Sequence, residues 1–317
     1  MEVTFNFGAL FSGRSVIGDT LLELGQQTGK VYVVTADIGG ALKNFREAFP
    51  DRYIDTGIAE QCTAGVAAGL ALEGNIPIIM GMIPFMTMRA CEQVRTDICY
   101  QNLPVIMIGT GGGLTSGGGS THNAMEDIAI MKSLVNMSVV SLCDPNMIRD
   151  LIKLGVEMGT PLFIRLAQGK KDRMLYEPGT KKFEIGKGIT LRDGKDITII
   201  AHGEMVGQAY DAAEIVKEEG IDVRVVDMYS IKPFDKELVK QCIDETGHII
   251  VLEDHLMEGG LASSIADWML DEDIRAKSFK RMGIPPVYAG FGSGEELHDK
   301  YGYGLSATVD AIRAAVK

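Results

Sequence analysis

Apolar positions recur along this chain in two alternating rhythms. Val16, Ile17, Leu21, Leu22 and Leu24 fall close to helical spacing within residues 12–28. The run VYVVTAD that follows is short and β-branched and ends at Asp37, which predicts a buried strand. A loop at Gly39–Gly40, the segment 42–49 and the short RYID lead to a helix headed by Glu60. Strand 76–82, helix 86–102, strand 104–109 and a glycine-rich loop come next. Helix 123–133, strand 138–142, helix 145–158 and strand 162–166 close the block. Strands separated by helices predict a mainly parallel sheet covered on both faces. Ligands of such sheets bind at the carboxyl ends of the strands. Residues 167–187 are polar, with Lys, Gly and Pro, and read as a linker. A second alternating block starts near Gly188. Its predicted strands are 197–201, 222–227, 248–252 and 279–282, with helices near 205–219, 235–245, 259–270 and 305–316. The expected fold is α/β: two doubly wound domains with mainly parallel sheets, over residues 1–180 and 188–317.

The helix after Glu60 is rich in small residues: Ala64, Gly65, Ala67, Ala68, Gly69, Ala71. Glycine costs a helix interior roughly 1 kcal/mol against alanine. Two of them one turn apart predict close backbone packing against another element. A carboxylate ahead of such a helix is favoured by the macrodipole alone, so its position does not by itself imply chemistry.

Composition narrows the function. The 317 residues are 46% hydrophobic and 23% charged, enough for two real cores. A net charge of −12 argues against nucleic acid and anionic membrane surfaces as partners. The amino terminus lacks a basic segment followed by an apolar core, and no apolar run approaches the ~20 residues of a membrane span. A cytoplasmic protein with reduced thiols is expected from five unpaired-looking cysteines. With no C-x-x-C or histidine cluster, no metal site is expected from this chain itself. The loop GTGGGLTSGGGSTH lacks the Gly-Lys-Ser/Thr of a P-loop and opens no helix as a dinucleotide fingerprint would. It reads either as a surface loop or as a backbone-lined wall beside a ligand, ending at His122.

Several longer words then converge. DTGIAEQ, AAGLALEG, RACEQVRTDI, YQNLPV and STHNAMEDIAIMKSLVNM resemble the pyrimidine-binding half of the transketolase family of thiamine-diphosphate enzymes. IIAHGEMV, DMYSIKPFD and LEDHLMEGGLASSIADWM resemble that family's carboxy-terminal domain. The resemblance runs from about Arg14 to the end. It implies a pyrimidine-binding domain of the thiamine-diphosphate-binding fold, followed by a transketolase carboxy-terminal domain.

The resemblance also assigns residues. Glu60 would share a proton with the cofactor's aminopyrimidine ring nitrogen. Phe85 would stack on that ring, with Ile58 as an apolar wall. Met82 and Met88 stand where many members have further aromatics, and Met is able to fill such space. Asp37 stands where relatives have an acidic residue near the thiazolium. His122 matches a histidine that contacts donor-sugar oxygens, and Arg14 matches a phosphate ligand. The other four histidines, His202, His248, His255 and His298, are expected to be structural. Gln168 replaces the family's phosphate-binding Arg, Ala41 a phosphate-contacting Ser, and Gly118 an acidic residue that grips a sugar hydroxyl. Lys170 or Lys171 would have to compensate, although an ammonium is not a guanidinium fork.

The family's Gly-Asp-Gly and following Asn, which hold Mg²⁺, have no counterpart here. The resemblance therefore implies the second subunit of a split transketolase. Thiamine diphosphate would be shared with an amino-terminal subunit that holds the Mg²⁺, in an α2β2 assembly with self-association of this chain. The expected reaction is transfer of a two-carbon ketol unit from a ketose to an aldose. The alternatives are a 2-oxoacid dehydrogenase β subunit, a deoxyxylulose-phosphate synthase relative, and a catalytically silent regulatory partner.

Overall fold

The computed structural model describes residues 5–116, 118–168 and 172–317. Two compact units result, Met1–Gly111 with Ile130–Glu184, and Gly112–Ala129 with Ile185–Lys317.

In the first unit six strands run parallel. Their spatial order is Ser138–Ser141, Leu162–Arg165, Ile106–Thr110, Ile76–Met82, Val31–Thr35 and Tyr53–Asp55. All residues of Ile106–Thr110 are buried, as a central strand covered on both faces requires. The helix Pro145–Met158 shows how the sequence sets its ends. Asp144 caps it by accepting from the Asn146 N–H, Pro145 takes the first helical position, and Gly159 adopts the left-handed conformation beyond its end, at φ 69°. Asp144 is buried and also accepts from the Leu175 and Tyr176 N–H groups. The stretch expected as a linker is therefore partly built in: Asp172–Arg173 pairs antiparallel with Leu10–Phe11.

One predicted helix changes character. Residues 86–102 were expected as a single helix and instead form the π turns Phe85–Arg89 and Val94–Cys99 around the short α turn Cys91–Gln93. The Ala90 N–H reaches the Phe85 carbonyl, five residues back, and the Tyr100 N–H reaches that of Arg95. The apolar spacing does not separate a 3.6-residue turn from a locally wider one. Such wide turns recur at functional sites.

The second unit holds a five-stranded sheet in the order Ser278–Ile284, His248–Leu256, Ile197–Ala201, Val223–Asp227, Ile189–Arg192. The first four strands are parallel, and the edge strand Ile189–Arg192 is antiparallel. Residues 112–129, expected in the first domain, cluster with this unit. The Leu114 N–H donates to Asp254 Oδ2 at 3.0 Å, the Leu256 N–H to the Met125 carbonyl at 3.0 Å, and the Ala129 N–H to His255 Nε2 at 3.3 Å. These bonds join segments far apart in the chain, so no local pattern announces them. A short helix that was not expected, Gly294–Lys300, opens with a Ser293–Glu296 capping box. Among the described residues no helix is long and apolar enough to cross a membrane.

Candidate active site

The helix Glu60–Leu72 follows the strand Tyr53–Asp55 and buries one stripe: Glu60, Thr63, Ala64, Ala67, Ala68, Ala71. The small side chains bring it close to the strand Ile76–Met82 and to the π turns. The glycines do something else. A Cβ placed on Gly65 or Gly69 would meet nothing within 4 Å. The close packing expected from them does not occur among the described residues, and Leu72 is exposed beside them.

Glu60 is 5% exposed, and its Oε2 accepts from Arg89 Nη1 at 2.5 Å. The same guanidinium lies over the Phe85 ring, 4.5 Å from its centroid. The wide turn Phe85–Arg89 thus places a planar cation against both an aromatic face and a buried carboxylate. Cation–π attraction and the ion pair act together. The Arg89 side chain remains 42% exposed. An aminopyrimidine makes the same two demands: a flat face to stack and a ring nitrogen whose proton points at a carboxylate. The buried carboxylate and the aromatic face present here fit those two demands.

The other residues assigned to the cofactor cluster by topology. Asp37, Ile58 and Met82 follow or end the three adjacent parallel strands Val31–Thr35, Tyr53–Asp55 and Ile76–Met82. Phe85 and Met88 lie in the π turn just beyond. Asp37 is exposed and holds a positive φ of 57°. Asp55 Oδ1 fixes this corner by accepting from the N–H groups of Asp37 at 3.0 Å and Gly57 at 2.9 Å. Met82 and Phe85 are half-buried, while Ile58 and Met88 are exposed.

Arg14 and Gln168 lie together, joined through the Gln168 backbone. Arg14 Nε donates to the Gln168 carbonyl at 2.8 Å, and Nη2 to Thr110 Oγ1 at 3.4 Å. Burial holds the Arg14 pKa below its ordinary value, against the pull of Asp172. Burial likewise pushes the Asp172 carboxyl up to about 6, although the Gly13 N–H donates to it. Lys170 and Lys171 lie outside the described residues.

His122 belongs to the second unit. Its Nδ1 lies 2.9 Å from Thr121 Oγ1. A Cβ on Gly118 would come within 2.6 Å of the His122 ring. A side chain at 118 would therefore require the His122 ring to shift. The other histidines sit in this unit too. His255 is buried, and its Nε2 accepts from the Ala129 N–H while Nδ1 faces the Leu256 carbonyl at 2.7 Å. That pair of contacts puts the ring proton on Nδ1. Beside it, Glu253 accepts from the Leu261 and Ala262 N–H groups at 2.8 and 3.2 Å and so caps the helix Leu261–Asp271. A Cβ on Gly260 would lie 2.0 Å from that carboxylate, which is why the pair Gly259–Gly260 opens the helix.

Two residues near Glu60 escaped the sequence reading. Arg89 carried a signal, since it stands four after Phe85 and a helical reading already puts both on one side. Asp55 carried none, because its role depends on two loops meeting beside adjacent strands.

Comparison with known proteins gives a consistent result. Residues 11–171 match the family model "Transketolase, pyrimidine binding domain" and residues 186–307 match "Transketolase, C-terminal domain". The chain is 36% identical over 292 residues to one of the subunits of an apulose-4-phosphate transketolase from Phocaeicola vulgatus, covering 91% of this chain and 92% of that protein. It is also 36% identical to a putative transketolase C-terminal section of Methanocaldococcus jannaschii, covering 91% of each. A 1-deoxy-D-xylulose-5-phosphate synthase of Heliobacterium modesticaldum is 34% identical over 313 residues, but this chain spans only 48% of its length. Among solved structures, one described as a split gene transketolase, inactive beta4 tetramer, matches with a TM-score of 0.86 and 37% identity over 96% of this chain and 98% of that one.

Proposed function

The chain belongs to the transketolase family of thiamine-diphosphate-dependent enzymes, and from that premise we propose that it works as the carboxy-terminal subunit of a split transketolase. Its reaction is transfer of a two-carbon ketol unit from a ketose to an aldose. Bound thiamine diphosphate would supply an acidic thiazolium carbon able to break and remake the sugar's carbon–carbon bond. Mg²⁺ and the diphosphate would be held by an amino-terminal partner, a reading supported by the split-transketolase relatives this chain matches along nearly their whole length.

The residues of this chain handle the proton and the seat. Glu60 holds a proton at the pyrimidine ring nitrogen, in a buried setting where a charge-assisted hydrogen bond is strong. Phe85 carries the ring face. Arg89 leaves Glu60 when the ring arrives, which its partial exposure allows. Asp37, Ile58, Met82 and Met88 border the ring and the thiazolium side. His122 donates to the donor sugar's oxygens, and Arg14 anchors a terminal phosphate beside Gln168. The open glycine face of Glu60–Leu72 and the exposed Leu72 suit contact with a second chain, in an α2β2 assembly.

The observation that carries this reading is the triangle of Glu60, Arg89 and Phe85 at the carboxyl ends of parallel strands. The test is reconstitution. Mixed with an amino-terminal chain bearing Gly-Asp-Gly, Mg²⁺ and thiamine diphosphate, the protein should convert a ketose and an aldose into products exchanged by two carbons. Either chain alone should not. Turnover by this chain alone would contradict the split arrangement. The synthase relatives support one second reading, a deoxyxylulose-phosphate synthase-like reaction. Formation of 1-deoxy-D-xylulose 5-phosphate by the reconstituted complex, with no ketol exchange between a ketose and an aldose, would select it.

A further inference from the structure

We propose that Glu204, Asp254 and His298 form a binding site for a divalent first-row transition metal of the Zn²⁺ class. The three residues come from separate segments of the second unit: the residue before the helix Met205–Lys217, the strand His248–Leu256, and the helix Gly294–Lys300. One ligand atom from each lies within 4.8 Å of the others. His298 Nε2 is 3.4 Å from Asp254 Oδ2 and 3.7 Å from Glu204 Oε1. Those distances are long for hydrogen bonds. They are close to the ~3.3–3.6 Å edges of a tetrahedron whose metal–ligand bonds are about 2.0–2.2 Å.

A second observation points the same way. His298 is 6% exposed, and its Nε2 has no hydrogen-bond partner among the described residues although it is aimed between two carboxylates. Buried imidazole nitrogens are ordinarily satisfied. Glu204 occupies the cap position of the helix Met205–Lys217, which sets its carboxylate beside the His298 ring. Asp254 is oriented from behind, its Oδ1 accepting from Tyr303 Oη at 2.8 Å and its Oδ2 from the Leu114 N–H at 3.0 Å. Bonds of this kind aim a first ligand in metal sites. The Tyr303 and His298 rings also pack together, 4.8 Å apart. The Glu204 side chain is 34% exposed, which leaves a fourth position open to water.

One imidazole with two carboxylates suits a borderline cation better than a purely hard one. The competing occupant is a proton. Burial pushes the His298 pKa down, but Asp254, Glu204 and Asp299 outweigh it and raise it. A metal would staple the strand His248–Leu256 to the helix Gly294–Lys300, and through Leu114 it would hold the loop 112–129 that carries His122. Nothing in this site depends on the activity proposed above.

The test uses the full chain, stripped with a chelator. Calorimetry with Zn²⁺ should show one saturable site per chain, and Co²⁺ should give the visible bands of a four- or five-coordinate ion. His298→Gln and Glu204→Gln, each checked for folding by circular dichroism, should weaken binding at least ~10–100-fold, the loss typical even for outer-shell changes. Glu204→Gln keeps the test valid if His298→Gln does not fold, because Glu204 is partly exposed. Absence of saturable binding, or binding unchanged in a folded variant, would overturn the proposal and leave a protonated His298 as the occupant.

Discussion

Two buried glutamates stand beside helix starts in this molecule and have opposite surroundings. Glu253 spends its oxygens on the Leu261 and Ala262 N–H groups of its own chain, in a pocket that Gly260 is needed to open. Burial alone would push its pKa up, but the hydrogen bonds from His202 and the Leu261 N–H keep it below the usual range. Glu60 is almost as buried, yet its bond goes to a side chain that is 42% exposed. A carboxylate satisfied by fixed backbone amides is part of the scaffold. A carboxylate held by a movable guanidinium is available to a ligand. Burial alone would have ranked the two together.

The comparison predicts effects of different kinds. Glu60→Gln should leave folding intact and lower turnover of the reconstituted enzyme by at least ~10²-fold, the lower end for a lost general acid–base. Steady-state rates beside a circular dichroism spectrum check this, and near-normal turnover would remove Glu60 from the chemistry. Glu253→Gln should do the reverse. It should weaken the fold by roughly 1.5–3 kcal/mol, the scale of a hydrogen bond to a charged group, and turnover per folded molecule should hold. Denaturant titration measures it.

Asp172 is an intermediate case, a buried carboxyl that accepts from the Gly13 N–H beside Arg14. Its folded pKa of about 6 lies above the ordinary 3.8. Between those values the folded chain binds more protons than the unfolded one, so stability should fall as pH rises from about 4 to about 6 and stay lower above. Asp172→Asn should flatten that slope and gain about 1–2 kcal/mol at pH 7, after partial hydration is allowed for. Unfolding midpoints across pH decide it; an unchanged slope would show that Asp172 is not the group responsible. The smallest effect is expected at Phe85. Phe85→Ala removes a stacking face worth about 0.5–1.5 kcal/mol, a loss of about threefold to tenfold in cofactor affinity with little change in turnover at saturation. Titration of the reconstituted complex with thiamine diphosphate would show it.

Much of this was legible in the chain. Strand 76–82 and helix 145–158 were readable to the residue, because β-branched runs, Asp144–Pro145 and Gly159 act locally. Glu60 and Phe85 were singled out by resemblance rather than by physics, since a first-turn glutamate and a phenylalanine before a helix are ordinary features. The π turns were hidden because their apolar spacing mimics an α-helix. Arg89 was overlooked although even a helical reading puts it on the side of Phe85. The edge strand Ile189–Arg192 was missed because it is half exposed and pairs antiparallel. The cluster of Glu204, Asp254 and His298 is invisible to spacing rules, because its members meet only when three segments fold together.

The most direct measurement of the central claim is hydrogen–deuterium exchange at the thiazolium C2, followed by NMR in the reconstituted complex. Glu60 has one task in this account, to hold the proton at the pyrimidine nitrogen, and exchange reports it without any sugar present. The wild-type complex should speed exchange well beyond free thiamine diphosphate, and Glu60→Gln should remove at least ~10²-fold of that gain. Equal exchange in the two complexes, with the cofactor shown to be bound in both, would contradict the account.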